Sequence, residues 1–274
     1  MKNRRWKFEL WILNFIALSY LALVLIIPMA NVFYQAFKDG LEGFWATFGD
    51  ESFRSATLLT LAVAAIAIPL NTIFGLCAAW VLARHKFPGK AVVLSILDLP
   101  FSISPVVAGL MIVLLYGRLG WFGSWLEANN IRVVFAFPSI AIASAFVSLP
   151  FVAREVIPVL EELGKDQEEA ARTLGANSWQ TFWRVILPSI KWGLLYGVIL
   201  TNARAMGEFG AVSVVSGNIA GDTQTLPLFV ETAYKEYQTQ TAYSASVALA
   251  LLAIVTLVAK TVLTSTTKGV GRGH

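Results

Sequence analysis

Cysteine and histidine are scarce in this 274-residue chain. The one cysteine, Cys77, cannot form an intrachain disulfide, and its place in an apolar run predicts a small buried side chain. The two histidines, His85 and His274, exclude a zinc motif of the H-E-x-x-H type, and no G-x-S-x-G nucleophile elbow occurs. We therefore expect neither a catalytic residue nor a metal site.

A phosphate-binding loop is also missing from the sequence. The pair Gly89-Lys90 is followed by Ala91 and has no upstream glycine, so it does not match G-x-x-x-x-G-K-[ST]. We expect no cofactor, and no ATP, to bind to this chain itself. The net charge of +4 does not indicate a nucleic-acid partner, because the placement of the basic residues has another explanation, given below.

Charge is sparse, at 14% of residues, whereas 57% are hydrophobic. A soluble domain of this length does not need so much apolar sequence, but a chain that crosses a bilayer several times does. We predict an all-α membrane protein with six transmembrane helices. The predicted spans are residues 10–33, 57–82, 91–116, 133–151, 192–215 and 243–262.

The basic residues support this topology. Fifteen of the 21 Lys and Arg residues fall in segments predicted to be cytoplasmic, and five fall in external ones. This asymmetry follows the positive-inside rule and predicts cytoplasmic N- and C-termini. By organisation, residues 1–56 form a first span with an external interfacial segment, 57–264 the transmembrane core, and 265–274 a cytoplasmic tail.

The third predicted span is interrupted by Pro100 and Pro105. Broken backbone at membrane depth is tolerated inside the protein or beside a water-filled cavity. The segment around Ser102, Ser104 and Pro105 is therefore a candidate substrate pathway. A proline kink used only for packing is the equal alternative.

The fifth predicted span carries Asn202, Arg204 and Glu208. Ionisable groups at this depth are costly and usually face the interior of a helix bundle. Arg204 and Glu208 are four residues apart, so a helix would place them on one face as a pair. This pair either locks the packing or helps an anion to cross. Asp98 in the third span could pair with Arg204, with another helix or with another subunit.

A polar segment, residues 165–188, separates the fourth and fifth spans. It predicts two short helices: Asp166 caps the first, and Gly175 ends it by adopting a left-handed conformation. Asn177 caps the second with Gln180 as its reciprocal partner, and Pro188 is expected to end that helix.

This segment resembles the EAA loop of ABC-importer permeases. The matching residues are Glu169, Ala170 and Ala171, then Gly175, and finally Val185-x-Leu187-Pro188, where Val185 replaces the usual Ile. The resemblance implies a cytoplasmic coupling-helix loop that docks on a separate ATP-hydrolysing subunit.

Residues 55–262 resemble a narrower group, the W-type permeases of bacterial sulfate/thiosulfate importers in the sulfate and molybdate permease family. The similarity is carried by residues 97–110, 201–217 and 221–228. It implies a non-catalytic subunit of the bacterial inner (plasma) membrane for sulfate or thiosulfate, with molybdate or another oxyanion as the alternative substrate. The implied partners are a second, homologous permease in a heterodimer, two ATPase subunits and a periplasmic sulfate-binding protein.

A protein of another class remains as the second hypothesis. An intramembrane enzyme, or a secondary transporter without ATPase partners, would also be apolar and helical. Secondary transporters often contain inverted repeats with matching broken spans, and the sequence indicates only one broken span.

Overall fold

The computed structural model describes residues 2–266, which form helices and turns and contain no strand. Lys268 and Arg272 of the predicted cytoplasmic tail lie outside the described residues. The helices are α1 (Lys2–Leu21), α2 (Ile27–Phe37), α3 (Leu41–Gly49), α4 (Glu51–Arg84), α5 (Lys90–Leu97), α6 (Leu99–Ser102), α7 (Pro105–Tyr116), α8 (Gly123–Ala128), α9 (Phe137–Ser148), α10 (Pro150–Leu163), α11 (Asp166–Thr173), α12 (Ser178–Thr181), α13 (Leu187–Met206), α14 (Gly210–Val215), α15 (Leu226–Lys235) and α16 (Thr239–Thr266), with π-helical turns at Ala22–Ile26 and Phe182–Ile186.

Four continuous helical stretches in the described part of the chain are long and apolar enough to cross a membrane. They are Trp11–Phe37, Glu51–Arg84, Phe137–Leu163 and Ser178–Met206. Two further apolar helices, Pro105–Tyr116 and Thr239–Val255, are shorter. The all-helical class and the multi-pass character are therefore confirmed, whereas the count of six spans stays a prediction.

Helix α4 lies at the centre of the bundle and packs against α9, α10, α13 and α15. Near one end, its Val63 joins a buried apolar cluster with residues of α7, α9, α14 and α15. Near the other end, its Ala79 joins a second cluster with residues of α10 and α13. One helix thus connects two cores, because the buried residues of α4 are spaced from Phe53 to Arg84.

Polar side chains tie α4 to its neighbours inside the bundle. The buried Asn71 amide donates to the Ala145 carbonyl at 2.9 Å and to the Ser148 hydroxyl at 2.8 Å. The Thr60 hydroxyl accepts from the Leu226 backbone N–H at 2.8 Å, at the first turn of α15. Such bonds are favoured where no water competes for the groups, so they fix the register of α4 against α9 and α15.

Much of the outer surface is apolar. No residue in the most hydrophobic window of Trp11–Phe37 is buried by the rest of the chain. Cys77 also points outward, so its predicted burial in the protein core is wrong. The reason is that an apolar side chain of a membrane helix can be covered by lipid or another subunit instead of by its own fold.

Two glycines let α13 approach α10 closely. A Cβ built on Gly197 would lie 2.8 Å from Cα of Val152, and one built on Gly193 would lie 2.9 Å from the Glu155 carbonyl oxygen. Small residues at helix contacts allow such close backbone approach in membranes. The contact between α10 and α13 therefore depends on the absence of side chains at these positions.

We predict that Gly197→Leu lowers the thermal unfolding midpoint of the purified protein, because the new side chain meets the backbone of α10. Overpacking of this kind costs about 1–3 kcal/mol. Tyr196→Leu is the matched control, since Tyr196 is exposed on the same helix. Equal unfolding midpoints for the two variants would contradict the packing assignment.

Candidate functional site: the loop helices and two broken spans

The polar loop folds as two helices with the predicted turn between them. Helix α11 ends at Thr173, and Gly175 adopts a φ of 85°, as expected for a left-handed terminating residue. The Asn177 side chain accepts from the Gln180 backbone at 2.8 Å, and the Gln180 side chain accepts from the Asn177 backbone at 3.0 Å. The predicted capping box is confirmed, whereas Asp166 is not a cap: it is the first residue of α11, and Lys165 precedes it without a side-chain capping bond.

Pro188 does not end the second loop helix, so that prediction is wrong. The helix runs without interruption from Ser178 to Met206, and Pro188 lies at the start of α13. A π-helical turn, Phe182–Ile186, precedes it, and the Leu187 N–H bonds to the Phe182 carbonyl five residues back. This wider turn is one of the adjustments that let a helix continue past proline, which lacks an N–H of its own.

A buried ion pair holds the base of α11 against the bundle. Nε of Arg84, the last residue of α4, lies 2.7 Å from Oε1 of Glu168, and only 6% and 9% of these side chains are exposed. The Arg84 Nη1 also donates to the Leu160 carbonyl of α10 at 2.5 Å, and its guanidinium lies 5.9 Å from the ring centroid of Trp80. The loop is therefore fixed to both α4 and α10.

Sequence reasoning missed this pair. Glu168 lies in the first turn of a predicted helix, and Arg84 lies in a short basic segment, so each charge has a local explanation without the other. The two residues are 84 positions apart, so no local pattern connects them.

The EAA-like residues fall into two groups in the structure. Glu169, Ala170 and Gly175 are exposed around α11 and its end, whereas Ala171 is half-buried. Leu174 lies on the same tip and is 88% exposed, which is unusual for a leucine that faces water. The tip thus exposes charged side chains and one large apolar side chain together.

The remaining two, Leu187 and Pro188, lie at the start of α13 and not on the tip. Leu187 lines an apolar groove of about 700 Å³ between α4 and the second loop helix, together with the aromatic residues Trp80, Trp179, Phe182 and Trp183. Leu187 and Pro188 therefore lie where the second loop helix continues into the membrane helix α13.

The broken third span is present as predicted. Helix α5 ends at Leu97, α6 covers only Leu99–Ser102, and α7 begins at Pro105. The residues between α6 and α7 are extended, and Ser102 and Ser104 are exposed on the surface of the chain. The candidate pathway residues thus lie at a true interruption of the helix.

A second break lies in the fifth predicted span, which is a correction to the reading of one broken span. Helix α13 ends at Met206, and α14 starts at Gly210. A Cβ on Gly210 would lie 2.8 Å from Cβ of Pro105, so the two breaks are in contact. No proline marks this second break in the sequence.

Arg204 and Glu208 form the predicted pair but not within one helix. Nη2 of Arg204 lies 2.8 Å from Oε2 of Glu208, which follows the end of α13. The Glu208 Oε1 accepts from the Ala211 backbone N–H at 2.8 Å, and only 1% of the Glu208 side chain is exposed. Glu208 therefore satisfies the backbone of α14 as well as Arg204, and Asn202 lies buried nearby on α13.

Asp98 pairs with Arg154 and not with Arg204. The two groups make a bidentate contact, with Nε to Oδ1 at 2.8 Å and Nη2 to Oδ2 at 2.6 Å. The Arg154 guanidinium also lies 5.4 Å from the ring centroid of Phe101, which packs edge-on against Phe151 at 5.1 Å. Arg154 lies three residues beyond the predicted end of the fourth span, within the continuous helical stretch Phe137–Leu163.

Among residues 2–266, no group of three or more His, Cys, Asp or Glu side chains is placed to hold a metal ion. The charged side chains at the two breaks, Asp98 and Glu208, each form an ion pair with an arginine.

Comparison with known proteins places this geometry in context. Residues 71–268 match the family of binding-protein-dependent transport system inner membrane components. The chain is 66% identical to the sulfate transport system permease protein CysW of Synechocystis sp., over 92% of each protein. It is 39% identical to the sulfate transport system permease protein CysT of Escherichia coli (strain K12), over 81% of this chain and 80% of that protein. A chain in the crystal structure of a bacterial alginate ABC transporter, bound to a periplasmic protein carrying an alginate pentasaccharide, has the same fold, with a TM-score of 0.79 over 94% of both chains at 17% identity.

We predict that Glu168→Ala raises the amide hydrogen-exchange rates of residues 164–177 by on the order of tenfold or more. The substitution leaves Arg84 buried without its carboxylate, and breaking a buried pair costs about 3–5 kcal/mol. Glu169→Ala is the matched control, because the adjacent carboxylate is exposed. Equal exchange rates in the two variants would show that the ion pair does not hold the loop.

Proposed function

The chain belongs to the family of binding-protein-dependent transport system inner membrane components, and from this premise we propose that it is the permease subunit of an ATP-driven sulfate importer. The observation that carries the proposal is the loop: its base is fixed to α4 and α10 by Arg84 and Glu168, and its tip around Glu169 and Gly175 is exposed. Such a loop can transmit movement from a partner subunit into the membrane helices.

The relatives support sulfate as the substrate. Two sulfate transport permeases, CysW and CysT, align with more than four-fifths of this chain. We propose that thiosulfate shares the same path, because it too is a tetrahedral dianion. Molybdate is the alternative substrate of the same shape and charge.

Sulfate uptake against the membrane potential must be coupled to an energy source. A dianion that enters a negative-inside cell works against about 2.3 kcal/mol per charge per 100 mV, or about 4–5 kcal/mol for two charges. The sequence has no phosphate-binding loop, which supports the proposal that ATP is bound and hydrolysed by another chain. We propose two ATPase subunits, each docked on one permease loop.

The second permease is proposed to be a homologue of this chain. The similarity to both CysW and CysT supports a heterodimer of two related subunits, each supplying half of the path. A periplasmic sulfate-binding protein would deliver substrate to the side of the bundle opposite the loop.

The protein is a multi-pass inner-membrane protein by its family and its apolar helices. We propose the full topology of six spans, with the broken segment α5–α7 and helix α16 as the third and sixth. In this topology both termini and the loop are cytoplasmic, which places the loop on the side where ATP is available.

A secondary transporter without ATPase partners is the competing reading, and the second broken span is a feature that such proteins share. The two readings differ in their partners. If the chain is a permease of an ATP-driven importer, a nucleotide-binding subunit co-purifies with it in mild detergent.

Uptake of radiolabelled sulfate in cells that lack their own sulfate importer tests the substrate. We expect uptake only when this chain, its companion permease, the ATPase and the binding protein are all expressed. Unlabelled thiosulfate should reduce the uptake of labelled sulfate. Stronger inhibition by molybdate than by thiosulfate would indicate a molybdate permease. ATP-independent uptake by this chain alone would overturn the proposal.

We predict that Glu169→Lys and Gly175→Asp each reduce sulfate uptake by about tenfold or more while the protein still inserts. Glu169 is exposed on the tip, and an L-residue at Gly175 is strained at its φ of 85°. Glu162→Lys is the control, because Glu162 is exposed near the loop but outside α11. Wild-type uptake in both tip variants would count against docking at this surface.

A further inference from the structure

The ion pair between Asp98 and Arg154 lies well inside the bundle's length. Lys90 and Glu161 form an exposed pair at the end of the bundle that carries the loop, on the same two elements. Asp98 is eight residues from Lys90, and Arg154 is seven from Glu161. At 1.5 Å per helical residue, the deeper pair lies roughly 10–12 Å further along the bundle from the end that carries the loop.

This deeper pair is open at the surface of the chain. The Arg154 side chain is 54% exposed and the Asp98 side chain 32% exposed. Charged groups at membrane depth face the bundle interior or a water-filled cavity, because facing lipid costs at least a few kcal/mol. An open ion pair of this kind suits an aqueous path and is unfavourable against lipid.

The geometry of the pair suits an oxyanion. Arg154 presents Nε and Nη2 to the two oxygens of a carboxylate, and two oxygens of a tetrahedral dianion can occupy the same two donors. We propose that Arg154 contacts the transported oxyanion, and that Asp98 occupies the guanidinium when no oxyanion is present. This inference rests on the proposed function and adds a specific residue of the path.

The two partners differ in how firmly the backbone holds them. Arg154 lies in the continuous helical stretch Phe137–Leu163, whereas Asp98 lies between α5 and the four-residue helix α6. Beyond α6 the chain is extended at Ile103 and Ser104. The carboxylate can therefore move away from the guanidinium more easily than the guanidinium can move from the path.

Arg204, in contrast, is paired with a carboxylate that cannot easily move away. Its partner Glu208 is almost fully buried and also accepts from the Ala211 backbone N–H. Withdrawal of Glu208 would leave that N–H without its acceptor in a site with little water, which is costly. Arg204 therefore has a structural role at the second break, and Arg154 is the arginine available to substrate.

Movement of the Asp98 carboxylate would also open and close the oxyanion site at Arg154. An oxyanion bound at Arg154 repels the Asp98 carboxylate, and once the oxyanion leaves toward the loop end, the carboxylate returns to the guanidinium. The restored pair closes the site to an anion that would enter from the loop side. Loss of the carboxylate should therefore strengthen inhibition by sulfate on that side.

The test uses the complete importer, with companion permease, ATPase and binding protein, reconstituted in liposomes with ATP inside. Uptake of labelled sulfate is measured against increasing unlabelled sulfate in the lumen, which corresponds to the loop side. We expect Asp98→Asn to lower the luminal concentration for half-inhibition at least tenfold. We expect Arg154→Gln to reduce uptake at least tenfold, and Arg154→Lys, which keeps the charge but loses the bidentate contact, to fall between.

Lys90→Gln is the matched control, because it removes the exposed ion pair between α5 and α10 without touching the deeper one. It should stay within twofold of wild type in both measurements. Unchanged luminal inhibition in Asp98→Asn would overturn the proposal. Recovery of wild-type uptake in the double variant Asp98→Asn/Arg154→Gln would also overturn it, because a purely structural pair can be replaced by two amides.

Failure of the proposed function gives a different result. If wild-type liposomes show no ATP-dependent sulfate uptake, the sulfate importer assignment fails before any variant is compared. If wild type transports sulfate and the variants behave like Lys90→Gln, only the role of Arg154 fails. If Asp98→Asn does not assemble, the contact between Arg154 and the oxyanion is tested by thermal unfolding with and without sulfate. Sulfate should protect the wild-type importer more than Arg154→Lys, and equal protection would contradict the contact.

Discussion

The buried contact between Arg84 and Glu168 determines what the polar loop can do. Two charges removed from water are stable only if their hydrogen-bonding groups are satisfied, and here the guanidinium reaches the carboxylate, a carbonyl of α10 and the face of Trp80. Without this contact, α11 would be a tethered segment that moves independently of the bundle. With it, a force on the exposed tip acts on α4, the helix that connects both apolar cores.

The second constraint is that backbone groups at membrane depth need partners. The chain breaks two spans, and each break is covered by the other or by polar side chains. Glu208 accepts from the first turn of α14, while the Val215 carbonyl at its end accepts from the Phe135 N–H and the Ser139 hydroxyl. The breaks are therefore compatible with a membrane, and they leave Ser102 and Ser104 on an open face.

The sequence predicted the features that depend on neighbours in the chain. The Asn177 capping box, the turn at Gly175 and the break at Pro105 follow from local chemistry, and all three are present. It could not predict the partners of Arg84 or Asp98, which are 84 and 56 positions away, because many pairings satisfy the same charges. The break after Met206 has no proline, and the predicted fifth span runs through its glycines, Gly207 and Gly210. The continuation past Pro188 depends on a π-helical turn that no residue pattern marks.

That continuation has a mechanical consequence. From Ser178 to Met206 the chain is one rod of 29 residues, about 44 Å long, which leans on α10 at Gly193 and Gly197. The leaning point is roughly 25 Å from one end and roughly 17 Å from the other. A rod that tilts about such a pivot moves its two ends in opposite directions, the far end by about two-thirds as much, so a push inward at Ser178 swings the Arg204 end outward.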